Sequence, residues 1–208
     1  MTNHNKLSGN VALIVGASSE LGLAVAKRLA AEGCGLHLAD ANETVLEEVV
    51  EALGLDDDNE PETHPTDLSD AINAAALALE CEEANILVNT VPSPPAGTID
   101  DLDVMDWQQA FNETILTAIN LTGEVYESMQ EIGTGMIFNI GCSGQPGGQP
   151  GSLCQDTVNA ALRTFSEALD REASLCGVRV FFRLPSPEQA PDILAEEVVT
   201  RILGHQAS

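Results

Sequence analysis

Short apolar runs alternate along almost the whole chain with longer stretches in which hydrophobic residues recur at every third and fourth position. Brief runs bounded by glycine, asparagine or aspartate mark buried strands, and the three-four spacing between them marks helices lying over a sheet. The pattern predicts strands at about Val11–Val15, Gly35–Ala39, Thr63–Thr66, Asn85–Asn89, Gly135–Ile140 and Val178–Leu184. It predicts helices near Leu21–Glu32, Glu43–Leu53, Ser69–Glu80, Met105–Glu131, Ser152–Cys176 and Pro191–Leu203. Right-handed crossovers then give an α/β fold, a doubly wound parallel sheet with helices on both faces, most simply in the order 3-2-1-4-5-6. One domain over residues 1–208 is expected, because a chain of this length fills one substantial core.

The two longest helices carry more apolar surface than one sheet contact needs. Trp107, Phe111, Ile115, Ile119, Thr122, Tyr126 and Met129 form a stripe on the first, and Val158, Leu162, Phe165 and Leu169 form one on the second. Such stripes most often bury a helix against its own sheet. Val104, Leu116, Ala118 and Val125 widen the first arc, so a second contact, a helix-paired oligomer, is expected.

Charge narrows the range of partners. The chain has 33 acidic and 8 basic side chains, for a formal net charge of −25. Such a surface repels polyanions before contact, which excludes nucleic acid and anionic membrane as partners. The acidity reads either as general surface hydration, as in a salt-adapted proteome, or as a face for a basic partner. Runs such as Asp56-Asp57-Asp58 favour the first, since charge runs are usually solvated loops. The five cysteines, Cys34, Cys81, Cys142, Cys154 and Cys176, are odd in number and contain no CxxC pair. They indicate neither a disulfide framework nor a metal site, and they suit a reducing cytoplasmic setting. Residues 1–10 are polar, without the apolar core of a signal peptide, and no run reaches the length of a membrane span. The Gly144–Gly151 stretch reads as a loop.

Strand Val11–Val15 runs straight into Gly16-Ala17-Ser18-Ser19-Glu20-Leu21-Gly22 and a helix, an arrangement that converges free backbone N–H groups and a helix dipole on an anion. With Asp40 after the second strand, Thr66-Asp67-Leu68 after the third, Leu87-Val88-Asn89 on the fourth and Asn139-Ile140 on the fifth, the chain resembles the short-chain dehydrogenase/reductase family, with its Rossmann-like fold. The resemblance implies cofactor contacts at Gly16, Ser18, Glu20, Gly22, Asp40, Asp67 and Asn89, with Asp40 at the adenosine ribose favouring NAD over NADP. Asp40 and Asp67 read equally as a strand-end carboxylate and a helix N-cap. Two departures weaken the site. Glu20 replaces a glycine beside the pyrophosphate, and Asn89-Thr90-Val91-Pro92 replaces the family's Asn-Asn-Ala-Gly. Repulsion between a carboxylate and a phosphate a few ångströms away is on the order of 1–4 kcal/mol, so no tightly bound cofactor is expected, and NAD only if the vestigial site still works.

The resemblance also places the family's catalytic serine at Cys142, its tyrosine about thirteen residues on at Gln155, its lysine at Asn159 and its supporting asparagine at Thr114. None of the four retains the family's residue. An amide cannot exchange a proton near neutral pH, and Asn159 has no charge with which to shift a neighbour. Cys142 reads as a small buried thiol in preference to a nucleophile. Arg183-Leu184-Pro185-Ser186-Pro187 leads quickly to the last helix, so the family's substrate lid and seventh strand, which contributes to one tetramer interface, have no counterpart before Ser208. The expectation is a catalytically silent subunit beside an active relative in a hetero-oligomer. Its contact would use Trp107, Phe111, Ile115, Ile119, Phe165 and Leu169. The likeness extends to heteromeric dehydrogenases of acyl-CoA thioesters such as 2-[hydroxy(phenyl)methyl]succinyl-CoA. An NAD-dependent alcohol or ketone oxidoreductase with unconventional residues, or a nucleotide or metabolite sensor, is the alternative.

Overall fold

The computed structural model describes residues 6–56, 59–90, 92–142, 149–186 and 188–206. Asp57, Asp58, Val91, Pro187 and most of the Gly144–Gly151 loop lie outside them. In chain order the elements are β1 Val11–Val15, α1 Glu20–Ala31, β2 Gly35–Asp40, α2 Glu43–Leu53, β3 Glu62–Pro65, α3 Ala71–Glu80, β4 Ile86–Thr90, α4 Val104–Ala110, α5 Thr117–Ile132, β5 Gly135–Ile140, α6 Leu153–Ala173, β6 Val178–Arg183 and α7 Pro191–Gln206. The strands form a parallel sheet in the order β3-β2-β1-β4-β5-β6, as the sequence pattern predicts. Leu36, Leu38, Ile14, Val88 and Phe138 face α1, α2 and α7, whereas Leu13, Leu87, Ile137 and Val180 face α3, α5 and α6. Each such side chain withdrawn from water contributes roughly 1.5–3 kcal/mol against chain entropy.

Register brings Val15, Ala39 and Asn89 level across the sheet, so the carboxyl ends of β1, β2 and β4 share one edge. Order reverses between β1 and β4. Crossovers leave that point in opposite directions, and a crevice opens there above the strand ends.

Helix boundaries follow local capping chemistry. Ser19 Oγ accepts from Gly22 N at 2.9 Å to start α1, and Asp103 and Asp106 form a reciprocal capping box on α4. Each such cap is worth about 1 kcal/mol. Asp70, not Ser69, opens α3, because its carboxylate accepts from Ile72 N at 2.8 Å.

The single long helix expected over Met105–Glu131 is interrupted. Phe111–Leu116 adopts π geometry between α4 and α5, and Thr117 N–H reaches back to Asn112 O. Thr114 Oγ1 donates to the Ala110 carbonyl, a side-chain bond that competes for a backbone acceptor. The wider turn shifts the phase of the stripe. Ile115, Ala118 and Val125 fall into the chain's own core, while Val104, Met105, Phe111, Leu116 and Ile119 remain exposed. Ile115, Ala118 and Val125 therefore drop out of the expected outer face. Trp107 and Phe165 are half-buried against the cluster of Ala110, Cys142, Val158 and Leu162, and Leu169 is half-buried against the sheet.

Candidate functional site

The turn after β1 is held by contacts that involve no ligand. Gly16 has φ 70°, and a Cβ there would lie closer than 3.0 Å to Thr90 Oγ1 and Thr90 O. Thr90 Oγ1 in turn donates to Val15 O at 2.8 Å, tying the ends of β1 and β4 together. Gly22 packs so tightly that a Cβ would overlap Gly16 O and Ala17 Cα. Ser19 Oγ donates to Gly16 O at 2.8 Å and closes the loop. Both glycines are thus demanded by the turn's own packing.

On the β2 side the crevice forms a cleft of about 460 Å³ lined by Gly16, Ser18, Asp40, Asp67, Thr90 and Pro92, among others. Asp40 Oδ2 accepts from Ser18 Oγ at 2.5 Å and Ser18 N at 3.3 Å, and Oδ1 accepts from Ala41 N at 2.8 Å. A carboxylate fixed this way can still accept from a vicinal diol. Asp67 Oδ1 accepts from Ser69 Oγ at 2.7 Å and Ser69 N at 3.0 Å, and these bonds hold its carboxyl below the usual range. It lines the cleft and does not cap α3. Asn89 lines neither this cleft nor the next, since neighbouring strand residues face opposite ways. Its amide donates to Asn139 Oδ1 at 2.8 Å, Asn139 donates to Ser166 Oγ at 2.9 Å, and the trio stitches β4, β5 and α6. Thr90 takes the cleft position expected of Asn89.

On the β5 side a second cleft of about 570 Å³ is lined by Ser19, Glu20, Thr90, Cys142, Pro185 and Glu188, among others, with no lysine or arginine among the described residues lining it. Glu20 is exposed in the first turn of α1, where the helix dipole favours its charge. That carboxylate stabilises the helix terminus as a bound anion would, and it repels one.

Cys142, Gln155 and Asn159 meet as the family spacing implies. Asn159 Nδ2 donates to Cys142 O at 3.1 Å, the Cys142 thiol reaches Asn159 Oδ1 at 3.5 Å, and the Gln155 side chain also hydrogen-bonds the thiol. Burial pushes the Cys142 thiol up, and its bond to Asn159 Oδ1, an oxygen that only accepts, keeps the proton on sulfur. A Cβ at Gly141 would overlap Asn159 Oδ1, so the amide is wedged against β5 and turned inward. The cluster therefore offers a protonated thiol and two amides. Thr114 spends its hydroxyl on its own helix and is buried.

These residues fit a dinucleotide only in part. Asp40, Ser18 and Asp67 suit an adenosine moiety, Glu20 opposes a diphosphate, and nothing in the Cys142 cluster supplies an acid or base for hydride chemistry.

A doubly wound sheet with a glycine turn and a crevice at the β1/β4 switch point defines a Rossmann-type nucleotide-binding domain. Residues 10–194 match the family model for short chain dehydrogenases, and the chain belongs to that family, whose members typically bind NAD or NADP. It is 27% identical to 2,3-dihydro-2,3-dihydroxybenzoate dehydrogenase of Bacillus subtilis (strain 168) over 181 residues, covering 85% of this chain and 69% of the relative. Identity to the acetoacetyl-CoA reductase of Allochromatium vinosum is 25% over 181 residues, or 82% and 71% of the two chains. A metagenomic short-chain oxidoreductase solved in complex with NADP superposes with a TM-score of 0.84 at 22% identity, covering 95% of this chain and 92% of that one, which shows the fold.

Sequence reasoning missed the packing role of Thr90, which no motif signals. It also missed a cluster of His37, His64 and Cys81, whose residues lie far apart in the chain. Among the described residues no helix is long and apolar enough to cross a membrane.

Proposed function

We propose that this short-chain dehydrogenase is catalytically silent on its own and works as a non-catalytic subunit, associating with an active relative of the same fold. The observation that carries this reading is the Cys142–Gln155–Asn159 cluster. The three positions that should provide an oxygen anchor, a phenol and an ammonium instead bond to one another, and burial keeps the only acidic proton on sulfur. General acid/base catalysis needs a group that titrates near the working pH, and amides do not.

Association is supported by the outer face of the α4–α5 pair. Val104 is 71% exposed and Met105 68%, and Phe111, Leu116 and Ile119 in the same helical stretch, with Leu153 at the start of α6, are exposed as well. Exposed apolar side chains in this concentration mark a protein contact. The substrate class assigned to the complex is an acyl-CoA thioester, such as 2-[hydroxy(phenyl)methyl]succinyl-CoA, and the likeness to a protein named acetoacetyl-CoA reductase supports the thioester class. Purification from the native source tests the reading: an intact relative should accompany this chain in fixed ratio, and the chain freed of it should show no alcohol oxidation with added NAD. Turnover by the isolated chain would sink the proposal and favour an oxidoreductase with unconventional residues.

A second reading rests on the adenosine-side cleft. Asp40, Ser18 and Asp67 keep hydroxyl-binding chemistry there, so the subunit would sense a nucleotide without converting it. Saturable binding of NADH or ADP-ribose without turnover is the expected sign, and no binding at millimolar ligand would dismiss it.

A further inference from the structure

We propose that His37, His64 and Cys81 form a binding site for a divalent transition-metal ion of the zinc type, at the β3 edge of the sheet and independent of the proposed subunit role. The ligand atoms of the three residues lie within 4.8 Å of one another, contributed by β2, β3 and the residue that ends α3. Their side chains are withdrawn from water: His37 is 4% exposed, His64 10%, and Cys81 is 1% exposed as a whole residue.

The outer hydrogen bonds settle which nitrogens carry protons. His37 Nε2 lies 2.8 Å from Glu83 Oε1, and His64 Nδ1 lies 3.2 Å from Glu80 Oε2. A carboxylate only accepts, so both of these nitrogens must donate. In neutral imidazoles the inner nitrogens, His37 Nδ1 and His64 Nε2, are then both bare lone pairs, and they face each other at 2.9 Å. Two acceptors that close repel. Only a cation relieves the contact, either a proton shared between the rings or a metal ion bound by both.

The thiol favours the metal. Cys81 Sγ lies 3.6 Å from His64 Nε2, on the same inner side. With Zn–N near 2.0–2.1 Å and Zn–S near 2.3 Å, tetrahedral ligands sit roughly 3.4 Å apart for two nitrogens and roughly 3.5 Å for nitrogen and sulfur. The His64–Cys81 spacing already matches, the two rings need to part by a few tenths of an ångström, and the His37–Cys81 pair, within 4.8 Å, closes as the ion is taken up. Glu62 Oε2 lies 3.8 Å from His37 Nδ1 but outside the three-residue cluster, so the fourth position is left to water or to a Glu62 side chain that swings in. Glu83 and Glu80 take the role that carboxylates play behind metal-bound histidines, fixing tautomer and orientation. Metal ligation takes the thiolate, so binding forms a metal–sulfur bond and releases the Cys81 proton to solvent. Small clefts lined by His64 and Glu80 on one side, and by His37, Glu62 and Glu83 on the other, give an ion access.

Titration of the metal-free full chain with Zn²⁺ and with Co²⁺ tests the site. One ion per chain is expected to bind with proton release, and the Co²⁺ form should show tetrahedral d–d bands and a near-ultraviolet thiolate-to-cobalt band. Cys81→Ser should abolish the thiolate band, Cys34→Ser should keep it, and His64→Gln and Glu83→Gln should each weaken binding at least tenfold. Absence of the thiolate band in the wild-type Co²⁺ form overturns the proposal without recourse to any variant and leaves the proton-shared pair. Undiminished binding by a folded Cys81→Ser/His64→Gln protein also overturns it, assigning the ion to surface carboxylates.

Discussion

The two ends of the crevice are built under different constraints. At the β1–α1 turn two glycines are locked against backbone and Thr90, while at the end of β5 a thiol and two amides stand around the cleft. Their neighbours explain the difference. Gly16 and Gly22 face backbone and Thr90 at distances that leave no room for a Cβ, so the turn cannot change them without moving β4 or α1. Cys142, Gln155 and Asn159 are side chains around a cleft, and a set that satisfies itself is as stable as one that does chemistry. A conserved-looking glycine turn in this fold is therefore a statement about packing, and the reacting end is the place to look for activity.

The strongest way to break this comparison is Gly22→Ala. The added methyl meets backbone, and a cost of about 3 kcal/mol or more is expected in urea unfolding of the protein without any nucleotide. A loss seen only in the presence of NADH would return the glycine to a ligand-binding role. Glu20→Gly comes next: removal of an exposed carboxylate beside the diphosphate position should tighten NADH binding roughly tenfold by calorimetry, the low end of the like-charge range because solvent screens it. Unchanged affinity would mean that Glu20 turns away from the phosphates.

Asn159→Ala removes the amide that donates to Cys142 O in a buried setting, and should cost about 1–2 kcal/mol of stability. Asn159→Asp should cost at least as much, since a carboxylate cannot donate to that carbonyl. The pH dependence of Cys142 sharpens the reacting end further. With its thiol raised in the folded state, the proton is held more tightly folded than unfolded, so this contribution to stability is complete below the ordinary thiol value of 9.0 and declines as pH rises through the folded one. Iodoacetamide labelling of Cys142, followed by mass spectrometry, should be slow at pH 7 and accelerate only above pH 9.0. Fast labelling at pH 7 would reveal an activated thiol and revive a catalytic Cys142. Smallest in stability is Phe111→Glu on the exposed face, expected within about 0.5 kcal/mol for the isolated chain, yet it should release the partner subunit in co-purification.

Much of the fold was legible because sheet and helix periods differ and because capping side chains sit where helices begin. Strand order, the switch-point crevice and the meeting of Cys142 with Asn159 all followed from pattern and family spacing. The π segment at Phe111–Leu116 did not, since a local change of helix type within one apolar stripe leaves no mark in a three-four count. For the same reason the outward-facing residues of α4 and α5 could not be assigned from the stripe alone. Asn89 was placed at the cofactor although it faces α5 and Asn139, because which face of a strand meets which helix is unknown until its register against its neighbours is known.

What the chain's order of residues determined by itself is the secondary structure, the topology and which side chains, Cys142, Gln155 and Asn159, come together after β5, all of which depend on local spacing. Tertiary structure alone decided that Gly16 answers to Thr90, that the Cys142 cluster is self-satisfied, and that two histidines and a cysteine from three elements share one pocket. Those facts depend on distances between residues remote in sequence, which are set only when the sheet registers and its helices pack.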